Sequence, residues 1–134
     1  MIRGADAALV RRAIEDGEAL PGTRGFAGRL DGDDPVLVRD VLGRQPLFYE
    51  RAADDPAGDD AWAFERGPLD DPVSLPAGHA RTASDETAVW SLPETEPLGD
   101  DADAVAAVRD AIEAATADVD AGDAAVAFSG GVDS

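Results

Sequence analysis

The residues best suited to chemistry stand at the end of the chain, where Ser129-Gly130-Gly131-Val132-Asp133-Ser134 follows directly on the apolar run Ala124-Ala125-Val126-Ala127-Phe128. Two adjacent glycines let a backbone turn sharply and approach a ligand, so that successive amide N–H groups converge on an anion. A helix following such a turn would add the positive end of its dipole at the same place. The hydroxyls of Ser129 and Ser134 supply further donors to phosphate oxygens. Asp133 is out of place beside a phosphate unless it orients the loop or helps to hold a magnesium ion. The Lys of the Walker-type loop is missing, so the pattern is a different kind of nucleotide cradle. The plain alternative is a Ser/Gly turn after an ordinary strand. The glycine pair directly after an apolar strand favours an anion-binding loop over that alternative.

Other chemistry-bearing residues are sparse. There is no cysteine, which excludes disulfides, thiolate metal sites and a cysteine nucleophile within these 134 residues. His79 is the single histidine and sits in a turn, where alone it makes neither a triad nor a metal site; a structural role is expected. Asp40, next to Arg39, reads as a hydrogen-bonded or ion-paired scaffold residue. Trp62, Trp90, Phe48 and Tyr49 read as core, and the Asp-Asp pairs as solvated loops rather than acid/base dyads. No catalytic residue is assigned in the chain.

The elements that would position these residues can be read in outline. Residues 6–16 predict a short helix, capped by Asp6, with Leu9/Ala13 and Val10/Ile14 on repeating positions and Gly17 as its stop. Six short strands are expected between residues 25 and 91, at 25–30, 35–39, 47–51, 61–65, 79–83 and 88–91. Asp31-Gly32-Asp33-Asp34, Asp54-Asp55-Pro56-Ala57-Gly58 and Leu75-Pro76-Ala77-Gly78 provide turns between them. Together these make an antiparallel sheet unit with the helix on one side. Residues 93–100 are Pro-rich and polar and read as a linker. A second helix is expected over 101–118, with Val105, Val108, Ile112 and Ala115 along one face and Asp101 and Asp103 favourable in the first turn. The run at 124–128 is then a strand of the kind buried on both faces of a parallel sheet. Its partners would lie past Ser134, so the second domain is expected to be incomplete here.

Charge narrows the setting. The chain carries 29 acidic residues against 11 basic ones, a formal net charge of −18. All the basic residues are Arg, and Asp far outnumbers Glu. The acids are spread through helix-like and strand-like patterns rather than gathered in a block, which argues against a disordered acidic tail. Adaptation to a high-salt cytoplasm explains them better, because repulsion is screened within about 3 Å at molar salt. A phosphate-backbone ligand needs a basic patch, so no nucleic-acid partner is expected. No apolar run approaches a membrane span, and the amino-terminal residues lack the apolar stretch of a signal peptide. The expected setting is cytoplasmic, without a membrane partner, and a homo-oligomer is compatible with it.

SGGVDS after an apolar strand resembles the pyrophosphate loop of the ATP pyrophosphatase superfamily. The remainder is similar to one family within it. Leu37-Val38-Arg39-Asp40-Val41-Leu42-Gly43-Arg44-Gln45-Pro46-Leu47-Phe48-Tyr49 resembles the RDxxGxxPLYY segment of glutamine-hydrolysing asparagine synthetases. Gly25-Phe26-Ala27-Gly28 resembles the strand ahead of it, Leu75-Pro76-Ala77-Gly78-His79 the turn after it, and Gly4-Ala5-Asp6 the segment before the family's helix. The resemblance covers roughly residues 4–134. It implies an α+β chain: 1–92 a degenerate class II amidotransferase-like (Ntn-like) antiparallel domain, 93–100 a linker, and 101–134 the first helix and strand of an α/β ATP-pyrophosphatase domain.

It also implies an ATP-dependent amide ligase: a carboxylate, aspartate in the namesake enzymes, is adenylated with release of pyrophosphate, and ammonia then displaces AMP. ATP and Mg²⁺ are the implied cofactors. Ser129, Gly130, Gly131, Asp133 and Ser134 are the implied pyrophosphate-binding residues, and Asp6 matches a glutamine-binding position. The family's catalytic Cys and its NGE segment have no counterpart, and the chain contains no Asn. Glutaminase activity is therefore not expected, helix capping suits Asp6 better than glutamine binding, and residues 1–134 alone are expected to be inactive. Two alternatives stand beside this reading: a non-catalytic interaction module, and an ATP pyrophosphatase acting on another substrate.

Overall fold

Asp6 opens the first helix as its sequence position suggests. Its backbone is extended, and its carboxylate accepts hydrogen bonds from the amides of Ala8 at 2.8 Å and Leu9 at 3.3 Å, two donors that a helix start leaves without partners. Helix α1 (Ala7–Asp16) ends at Gly17, which is left-handed (φ 70°) and returns its N–H to Ala13 O. In this computed structural model residues 20, 22–24, 93, 118–119, 121, 123–124 and 126–134 are not described; all others are. Two compact units divide the chain, Met1–Pro93 and Glu94–Ser134.

The first unit is mixed α+β, and its sheets are antiparallel. Strands β1 (Ile2–Arg3), β2 (Ala27–Leu30), β3 (Val36–Arg39), β7 (His79–Arg81) and β8 (Glu86–Ala88) form one sheet in the order β1-β2-β3-β7-β8. A second sheet has β4 (Phe48–Glu50) between β5 (Trp62–Ala63) and β6 (Pro72–Ser74). Alternation along the strands separates two cores. Phe26, Leu30, Val38 and Ala80 face α1, where they meet Val10 and Ala13. Ala27 and Leu37 point the other way, to Leu47, Ala57, Phe64 and Leu75. The five-stranded sheet is thus the middle layer, with α1 on one face and the small sheet on the other. Trp90 closes the helix side: its ring meets Phe26 edge to face at 5.5 Å, and its indole N–H reaches Ala13 O at 3.4 Å.

Two strands lie outside the sequence expectations, and one is displaced. β1 has only two residues and no pattern; it forms because Gly28, opposite Ile2, has no side chain, and a Cβ there would lie 2.3 Å from Met1 O. β6 contains Pro72, which reads as a strand breaker. As an edge strand, β6 needs its ladder only on the β4 side, so the missing N–H is tolerated. The strand expected at 88–91 lies at Glu86–Ala88 instead. Val89 and Trp90 both donate to Gly78 O, at 2.9 and 3.0 Å, and this turns the chain out of the ladder.

In the second unit, Asp100 caps helix α2 (Asp101–Thr116), its carboxylate accepting from Asp103 N at 2.9 Å. No side chain of α2 is buried; Val105, Val108 and Ile112 remain about 60% exposed. The strand expected at 124–128 and the loop at 129–134 lie outside the described residues. Among the described residues, no helix is long and apolar enough to cross a membrane.

Candidate functional site

The five loop residues, Ser129, Gly130, Gly131, Asp133 and Ser134, belong to the stretch the structure does not describe, so their arrangement rests on sequence. Residues of the segments 25–28, 37–49 and 75–79 are described, and they meet at one corner. Arg39, at the end of β3, directs its guanidinium to neutral oxygens: Gln45 O at 2.8 Å, Gly43 O at 2.7 Å, Leu75 O at 2.7 Å and Ser74 Oγ at 3.2 Å. It thereby ties the turn after β3 to the end of β6. Asp40 is 2% exposed, and its carboxylate accepts from Phe26 N at 3.2 Å and Leu42 N at 3.0 Å. Among the described residues, Arg44 Nε stands 3.9 Å from its Oδ1, beyond hydrogen-bond range.

The backbone of Asp40 completes the junction. Its N–H donates to Phe26 O, and its carbonyl accepts from Gly43 N at 3.0 Å and Gly78 N at 2.9 Å. Gly78 has φ +75°, and a Cβ there would lie 2.4 Å from Trp90 O, so this position requires glycine. The segments RDVLGRQPLFY and LPAGH are thus two halves of one hydrogen-bonded corner. Their chemistry is structural: every polar group of Arg39 and Asp40 named here is engaged within the protein.

Asp6 lies on the surface with Oδ1 occupied by the two capping amides. His79 Nδ1 lies 2.9 Å from Ala77 O in its own turn. No cluster of three or more His, Cys, Asp or Glu among the described residues could hold a metal ion.

Sequence reasoning missed the setting of Tyr49. Its hydroxyl donates to Glu86 Oε2 at 2.9 Å, joining the small sheet to β8, and the Arg81 guanidinium lies 5.5 Å from its ring centroid. Burial first, and then the bond to Glu86, raise the phenol above its ordinary pKa. Nothing in the sequence signals this pairing, because residues 37 positions apart meet only when the sheets stack.

A raised value means that the folded state favours the neutral phenol. Its contribution is fully present below the unfolded pKa, about 10, and is lost as pH rises through the folded value. The chain has no Lys, no Cys and no other Tyr, so no second side chain titrates in that window. Phenolate absorbance should therefore show one transition, displaced above that of the urea-unfolded chain. The unfolding midpoint should fall with pH beyond about 10 in wild type and stay level in Tyr49→Phe. Coincident titration of folded and unfolded chains would contradict the Tyr49–Glu86 contact.

Comparison of the chain with protein-family models, with curated proteins and with solved structures finds no match in any of the three.

Proposed function

We propose that this chain carries the pyrophosphate loop of an asparagine-synthase-like, ATP-dependent amide ligase, behind an amidotransferase-type scaffold that lacks glutaminase chemistry. The observation that carries the proposal is Ser129-Gly130-Gly131-Val132-Asp133-Ser134 placed directly after the apolar run at 124–128. A second support is the corner built by Arg39, Asp40 and Gly78, which gives the family-like segments one shared structural reason.

The reaction is adenylation followed by amination. A substrate carboxylate oxygen attacks the α-phosphorus of ATP, the bond from that phosphorus to the bridging oxygen breaks, and pyrophosphate leaves. Ammonia then displaces AMP to give the amide. Ser129, Ser134 and the amides at Gly130 and Gly131 would hold the leaving pyrophosphate, and donors fixed where charge develops lower the barrier most. Asp133 is the one carboxylate of the loop and the residue that would take a magnesium ion. These residues hold no Cys and so supply no glutaminase nucleophile themselves.

Isotope exchange between pyrophosphate and ATP tests this reading, measured in molar KCl on the protein together with whatever its gene encodes after Ser134. Aspartate is the first acid to try. Asp133→Ala and Ser129→Ala should each slow exchange by about two orders of magnitude, the effect of losing one group positioned on developing charge. Exchange at the wild-type rate in both variants would end the assignment.

A further inference from the structure

The edge strands of the two sheets, β1 and β5, flank a concave surface that no reading above uses. It encloses about 290 Å³, and its walls include Arg3, Trp62, Phe64, Pro68, Asp59 and Glu65. Arg3 lies on the surface with its guanidinium carbon 3.8 Å from the centroid of the Phe64 ring. The Trp62 ring meets Phe64 edge to face at 5.4 Å, and its indole N–H is enclosed without an acceptor.

The charges here are arranged unusually for so acidic a chain. None of the described ion pairs includes Arg3. A guanidinium stacked on an aromatic face keeps its N–H donors in the plane of the fork, at the rim of the stack, where they suit a carboxylate. Asp59 does not compete for it, since its carboxylate is 2.5 Å from Arg29 Nη1.

We propose that this surface binds a small monoanionic carboxylate carrying a flat apolar group, with the carboxylate on the Arg3 fork and the apolar body against Trp62, Phe64 and Pro68. Two features select that class. The apolar wall favours a ligand with a hydrophobic body over a bare anion. Glu65 in the lining repels a second negative charge and so disfavours phosphate dianions. The proposal stands independently of the loop at 129–134.

Phenylacetate is the probe, with phenylacetamide, acetate and inorganic phosphate as comparisons. Binding is followed on the full chain by the two tryptophan indole N–H resonances, assigned with Trp62→Phe, at the lowest KCl concentration that keeps the fold. Phenylacetate should move the Trp62 signal saturably and leave that of Trp90, which lies in the other core, in place. Phenylacetamide, acetate and phosphate should each bind at least about tenfold more weakly. Arg3→Gln should weaken phenylacetate about tenfold, and Arg3→Lys, which keeps charge but loses the planar fork, should fall between. Equal binding of the acid and its amide, preference for phosphate, or unchanged affinity in Arg3→Gln would each overturn the proposal. So would the absence of a saturable shift. Should Arg3→Gln fail to fold, the acid-against-amide comparison on wild type decides.

Discussion

Removing salt is expected to unfold this protein, and restoring molar KCl to refold it. The ion pairs described engage Asp31, Asp40, Asp59 and Asp71, and 11 Arg cannot neutralise 29 acidic side chains. Folding gathers the unpaired carboxylates on a small surface. At molar salt their mutual repulsion is screened within about 3 Å, but near 0.1 M it reaches about 10 Å and spans neighbouring strands and turns. The opposing core is modest, since its buried side chains are mainly Ala, Val and Leu with few large rings. Circular dichroism over a KCl series should show native signal rising cooperatively with salt. An equal or greater native signal without salt would rule out the high-salt reading of the composition.

Asp40→Ala should remove roughly 2–3 kcal/mol of folding stability, the second large effect. The buried amide of Phe26 and the part-buried amide of Leu42 would lose a charged acceptor, and an unsatisfied buried donor costs about 1–3 kcal/mol. Domains of this size are stable by about 5–15 kcal/mol, so the change consumes a large share. Asp40→Asn keeps one acceptor oxygen and should lose about half as much. Urea unfolding in molar KCl measures both. A wild-type midpoint for Asp40→Ala would show that the corner does not depend on this carboxylate.

Local physics was legible in the sequence. Asp6 before an amphipathic run and Gly17 after it determined α1, because a cap and a left-handed stop act within one turn. Val105, Val108 and Ile112, with Asp101 and Asp103 in the first turn, marked α2, and its cap Asp100 came from the residues read as linker. Short apolar runs at 26–30 and 36–38 marked the two central strands, because a strand buried on both faces must supply both cores.

The candidate loop at 129–134 is likewise a matter of sequence, carried by residue types and their order. What the tertiary structure decided are pairings between distant residues that no local rule contains. β1 exists because Gly28 leaves room for it, and β6 tolerates Pro72 because it lies at an edge. Arg39 entered the sequence reading only as the neighbour of Asp40, yet it satisfies carbonyls from segments that only sheet packing brings together. The same stacking sets Tyr49 against Glu86 and places Arg3 over Phe64. The sequence marked both helices and the central strands, and it nominates the loop at 129–134 by residue type alone. Packing determined which of its charges are held within the protein, because that depends on contacts across the sheets.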